Sequence, residues 1–145
     1  MSRPKWVTGA AIAVVGAVAM AGSASAKPLS TKEWRTQANV VCDQVNEDID
    51  AAAGEAFAGL GQDDEPSPEQ VSAFADELVS IAEDGIAEID DLEEPKAVKK
   101  SFKKYKAALT DALENVTDDP SLLTETKNPF AKADKIGKKL RLTCG

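Results

Sequence analysis

The chain has 145 residues, a formal net charge of −8 and no histidine. Without histidine there is no Ser-His-Asp triad, no Cys-His pair, no His-ligated zinc site, no c-type haem attachment and no Glu-x-x-His di-iron site. The acidic excess argues against a general nucleic-acid binder, and no glycine-rich phosphate loop precedes any expected helix.

The N-terminus has the three parts of a secretory signal. Arg3 and Lys5 form a positive start, Val7 to Met20 is apolar, and Ala24-Ser25-Ala26 is a small-x-small cleavage site followed by Lys27-Pro28. Residues 1–26 therefore read as a cleavable signal peptide, and the protein as secreted or associated with the cell envelope. The competing reading is an uncleaved anchor, since no charge falls between Lys5 and Lys27 and such a run can just span a bilayer of about 30 Å. No cysteine lies near the cleavage site, which argues against a lipid anchor, and no second apolar run is long enough for a membrane span. Residues 27–145 suit one helical-bundle domain.

Helix one is announced by Ser30-Thr31-Lys32-Glu33, a capping box. Its apolar stripe runs Trp34, Ala38, Val41, Val45, Ile49, Ala52, Ala56 and Leu60, in steps of three and four. Gly59 and Gly61 are its expected stop, and residues 61–67 a linker. Helix two opens with Ser67-Pro68-Glu69-Gln70, a serine cap, a proline at the first helical position and a glutamine that closes the box. Its stripe extends from Val71 to Leu92 and includes Gly85, which reads as a close approach between helices rather than a hinge. After Pro95, a third stripe contains Val98, Phe102, Tyr105, Leu109, Ala112, Leu113 and Val116, and Thr117-Asp118-Asp119-Pro120 ends it. Leu122 and Leu123 allow a short helical turn. Asn128-Pro129 repeats the cap-then-proline signal for helix four, which carries Phe130, Ala133, Ile136 and Leu140.

No segment alternates apolar and polar residues as a half-buried strand would. The expected fold is all-α, an antiparallel up-down-up-down four-helix bundle closed by one disulfide and preceded by the signal peptide. Only two cysteines are present, and an exported chain meets an oxidising environment, so Cys42 and Cys144 are expected to pair. With about 1.5 Å of rise per residue, helix four running back beside helix three finishes near the height of Cys42 on helix one.

Charge divides the chain in two. Residues 27–94 carry 19 acidic and 3 basic side chains, and residues 95–145 carry 6 acidic and 12 basic. Helix two presents carboxylates along its outer face, including Glu69, Asp76, Glu83 and Asp90, and helix three presents Lys96, Lys99, Lys100, Lys103, Lys104 and Lys106. The plain reading is two solvated faces whose edges pair across the seam between them, each exposed pair being worth at most about 1 kcal/mol. Functionally, Lys96, Lys99, Lys100, Lys103 and Lys104 are candidate contacts for an anionic envelope polymer or membrane surface. The acidic rows lack the spaced oxygens and glycine turn of an EF-hand. Tyr105 is the polar exception within the stripes, expected to find a partner at the bundle edge.

The segments Ala38-Asn39-Val40-Val41-Cys42, Leu92-x-x-Pro95 and Asn128-Pro129-Phe130-Ala131 through Leu140-x-Leu142-x-Cys144-Gly145 resemble a group of small secreted actinobacterial helical proteins of uncharacterised function. The resemblance implies a paired Cys42 and Cys144 and brings no activity with it. Where that group often has a glycine before the final leucine, this chain has Arg141.

The expected function is a non-enzymatic binding or interaction module at the envelope or outside the cell, with no cofactor and an unidentified protein or an anionic polymer as partner. An inhibitor of a secreted enzyme is the alternative. A carboxylate-based hydrolase is a further one, which would need two carboxyls with split pKa values in a cleft.

Overall fold

The computed structural model describes residues 27–61 and 63–144. The signal-peptide assignment for residues 1–26 lies outside them. The described residues form four α-helices, α1 (Thr31–Ala56), α2 (Pro68–Asp91), α3 (Lys96–Asp118) and α4 (Ala131–Leu140), with a 3-10 turn at Pro120–Leu123. There is no strand among the described residues. No helix among them is long and apolar enough to cross a membrane.

Both expected capping boxes form. The Ser30 hydroxyl accepts from the Glu33 amide while the Glu33 carboxylate accepts from the Ser30 amide. Hydrogen bonding from Ser30 to the carboxylate, from its hydroxyl first and then from its amide, holds the Glu33 pKa below the ordinary carboxylate value. Ser67 and Gln70 exchange the same pair of bonds, and Gln70 Nε2 also donates to the carbonyl of Ala56, tying the start of α2 to the end of α1.

Two helix boundaries differ from expectation. α1 stops at Ala56, before Leu60, because Phe57 leaves the helical conformation (φ −106°, ψ 17°). Its ring then packs on Phe74 at 5.3 Å between centroids. α4 begins at Ala131, with Phe130 and not Asn128 at the cap position. Asn128 instead closes a local turn, its side-chain oxygen accepting from the Phe130 amide at 2.8 Å and its carbonyl accepting from Ala131.

The helices form two antiparallel hairpins, α1 against α2 and α3 against α4, laid face to face, with the more extensive packing inside each hairpin. Gly85 on α2 lies against Val45 on α1, and a Cβ at Gly85 would overlap Val45 Cγ2. A stiff, β-branched neighbour has little room to yield, so this glycine permits the close approach of the two helices. Between hairpins, Trp34 meets Phe102 edge-to-face at 5.3 Å, an arrangement that adds about 0.5–1.5 kcal/mol to the burial of both rings. Trp34, Ala38, Cys42 and Phe102 are each 0 % exposed. The indole N–H of Trp34 is buried with no hydrogen-bond partner among the described residues.

Cys42 and Cys144 are disulfide-bonded, with Cα atoms 4.6 Å apart. The route to that bond is not a straight run of α4. The helix ends beside Arg35 and Asn39, roughly one to two turns short of Cys42. There Arg35 Nε donates to the Leu140 carbonyl at 2.9 Å, and Asn39 Nδ2 to the Arg141 carbonyl at 3.1 Å. Arg141 adopts the left-handed conformation (φ 62°, ψ 41°). Its amide bonds Lys138 O and the Leu142 amide bonds Gly137 O, which together close the helix in a Schellman motif. Residues 142–144 then climb along α1. Thr143 donates its amide to Asn39 Oδ1 and its hydroxyl to Asp43 Oδ1, and its carbonyl accepts from Asn46 Nδ2.

Candidate functional site

Where the two hairpins face each other they do not close completely. A cavity of about 300 Å³, partly open to solvent, lies between them. α1 contributes Val45, Asn46 and Ile49, and α2 contributes Leu78, Ala82, Gly85, Ile86 and Ile89. From α3 come Phe102, Tyr105, Leu109 and Leu113, and from α4 and its approach Asn128, Phe130, Ala133 and Asp134, with Cys144 of the tail completing the wall.

Ala82 and Gly85 of α2 lend the wall little bulk, while α3 supplies the rings of Phe102 and Tyr105. The wall is overwhelmingly apolar. An apolar space of this size is about twice the roughly 150 Å³ that accommodates a benzene ring, and it falls at the small end of ordinary ligand pockets.

Few polar groups interrupt the wall. Asn128 Nδ2 donates to one Asp134 carboxylate oxygen at 2.8 Å. Asn46 is held by its bond to the tail. The Tyr105 hydroxyl makes no hydrogen bond among the described residues, against the expected partner at the bundle edge. Burial first, and then the charge of Asp134, push its pKa up to about 12. Tyr105 is therefore neutral at physiological pH and available as a donor.

The lysines singled out from the sequence lie elsewhere. Lys96, Lys99, Lys100, Lys103 and Lys104 are all exposed on the first half of α3. None of the five is in an ion pair among the described residues. The acidic and basic faces meet across the α2–α3 seam through a single ion pair among the described residues, Asp90 with Lys106. The hydrogen bond from Lys106 lowers the Asp90 pKa, and the same ammonium lies 5.3 Å from the Phe102 ring centroid. The other ion pair among the described residues, Lys132 with Asp111, joins α4 to α3. Taken singly, α2 and α3 are charged against their own dipoles. α2 has no basic residue in its last turn and α3 no acidic one in its first. The short turn between them sets the acidic end of one beside the basic end of the other, so the two unfavourable arrangements offset each other.

No group of three or more Asp, Glu or Cys among the described residues is placed to hold a metal ion. A shallower depression between α2 and α3 carries Glu83, Glu114 and Asp118 at the surface. Val40 is the one large hydrophobic side chain exposed among the described residues.

The cavity had only a faint trace in the sequence. Two small residues, Ala82 and Gly85, fall within one stripe, and a lone tyrosine within the stripe that faces them. Asp134 carried no signal, because α4 reads as an ordinary charged surface helix, and Asn128 was legible only as a helix cap. Compared with known proteins, the chain matches no family model, no curated protein and no solved structure.

Proposed function

We propose that the protein is an exported, non-enzymatic binding module whose interhelical cavity takes up a small apolar molecule. The observation that carries this reading is the apolar space of about 300 Å³ between the hairpins. A bundle whose only task was to be stable would gain by filling it, since unfilled core volume is destabilising. Export is inferred from the n-region, apolar stretch and cleavage site of residues 1–26. It is checked by the intact mass of the protein recovered from culture fluid, which should correspond to a chain starting at Lys27.

Binding is tested with 1-aminonaphthalene, an apolar fluorophore of about the size the space accommodates. Saturable, one-to-one enhancement of its emission is expected, with Ala82→Leu abolishing it by filling the wall at α2. Emission that rises without saturation, or that is the same for the Ala82→Leu protein, would remove the support for cavity binding.

A second reading rests on a different observation, the five exposed lysines of α3 that face no acid. They suit contact with an anionic envelope polymer. Co-sedimentation with such a polymer should fall steeply between about 50 and 200 mM salt if they carry it, as counterion release requires. An enzyme-inhibitor role has less to rest on, because the described surface offers no apolar anchor beyond Val40.

A further inference from the structure

The polar groups that line the cavity are of one electrical kind. Asp134 is the only charged side chain among them, and no lysine or arginine joins it. One of its carboxylate oxygens accepts from Asn128, and the other has no partner among the described residues. Asn128 has its own side-chain oxygen occupied by the Phe130 amide. Asn46 uses its Nδ2 on the Thr143 carbonyl, which leaves its side-chain carbonyl as an acceptor. Tyr105 adds a hydroxyl donor with no hydrogen bond among the described residues, beside the second N–H of each amide. That residue is only 4 % exposed, while its hydroxyl oxygen is not among the fully buried unpaired atoms and is open to an incoming ligand.

This set discriminates between head groups. A carboxylate, phosphate or sulfonate brought into the cavity would meet the charge of Asp134, half-buried in the wall, with no cation among the lining residues to offset it. A hydroxyl meets both needs of the site. It can accept from Tyr105 and donate to an unoccupied acceptor of Asp134 or Asn46.

We infer that the cavity selects an apolar alcohol, a ring or short chain bearing one hydroxyl, and rejects the matching carboxylate. This deepens the cavity-binding reading above and rests on it. The size of the space fits a molecule of roughly ten non-hydrogen atoms, about twice a benzene ring. Tyr105 would give its proton to the ligand oxygen in a hydrogen bond, and the ligand would give its own to an acceptor, with no covalent step.

The test is calorimetric titration of the purified, disulfide-bonded protein at pH 7 with three probes, 1-octanol, octanoate and p-xylene. At least a tenfold preference for 1-octanol over octanoate is expected. Asp134→Asn should shrink that preference to about threefold or less, chiefly by improving octanoate. Tyr105→Phe should weaken 1-octanol about fivefold, while p-xylene, which makes no hydrogen bond, stays within about twofold. Retained p-xylene binding also shows that each variant still folds around its cavity. Octanoate binding as tightly as 1-octanol, with p-xylene bound, would overturn the selectivity and leave the cavity reading standing. Failure of all three probes to bind the unaltered protein would overturn both.

Discussion

The two ends of the bundle are held together by different means. At one end, where α1 and α3 begin and α4 finishes, Trp34, Ala38, Cys42 and Phe102 are completely buried. A disulfide and a ladder of side-chain bonds from α1 to the tail surround them. At the far end Val71, Ala75, Leu78, Ala82, Ala112, Leu113 and Val116 are buried with no covalent tie, and Phe74, Leu123 and Phe130 lie half in solvent beside them. The cavity reaches from one into the other. The difference teaches that a firmly tied end lets the rest of a small bundle remain under-filled, which is where a binding space is usually found.

Removing the tie is the largest test of that contrast. Cys42→Ser with Cys144→Ser should cost roughly 4–5 kcal/mol by the loop-entropy argument for a bond spanning 102 positions. Urea unfolding measures it. A loss under about 1 kcal/mol would mean that packing alone holds the tied end, and the contrast would fail. Packing is probed next. Phe102→Ala should cost about 3–5 kcal/mol, whereas Phe74→Ala, half-buried at the far end, should cost under about 2 kcal/mol. Equal costs would erase the distinction between the ends.

Alkaline pH sharpens the comparison at the cavity wall. Tyr105 has its pKa raised to about 12 in the folded protein, against about 10 when unfolded. Below pH 10 both states keep the proton and the stabilisation is fully present. Between pH 10 and 12 the unfolded state releases it first, so about 2–3 kcal/mol of stability is lost as pH rises. Tyr105→Phe should remove this alkaline decline, as read from urea midpoints at pH 8, 10 and 11.

Two glycines of one chemistry should then respond in opposite directions. Gly85→Ala drives a methyl group into Val45 and should destabilise by about 1–3 kcal/mol. Gly54 has open space around the same position, so Gly54→Ala should stabilise by up to about 1 kcal/mol through helix propensity. The smallest expected effect is at Arg141, whose positive φ is a conformation glycine adopts without steric cost. Arg141→Gly should raise thermal stability by about 0.5–1 kcal/mol.

The helices were legible because their signals are local. Ser30 with Glu33 and Ser67 with Gln70 mark starts that the structure reproduces, and the stripes place Trp34, Phe102 and Ile89 in the core. The Cys42–Cys144 pairing was legible from count alone. The path of the tail was not. It depends on Arg141 entering a conformation that its side chain disfavours, repaid by the Schellman bonds and by α1 side chains that meet it only after folding. The cavity was illegible for a related reason. A stripe specifies which face is buried, not whether the volumes on facing helices add up, and the shortfall beside Ala82 and Gly85 exists only once α2 and α3 are in place. Asp134 gains its role from proximity to Tyr105, twenty-nine positions away in the chain.

The bond between Cys42 and Cys144 makes a covalent ring that contains most of α1, all of α2 and α3, and α4. A protease cutting the exposed stretch at residues 63–65 would therefore open the ring without separating the pieces, which would travel as one species until a reductant was added. A cut before Cys42 falls outside the ring and would release the segment carrying Trp34. Such a molecule tolerates nicking in its most accessible stretch and is vulnerable at its first helical turns.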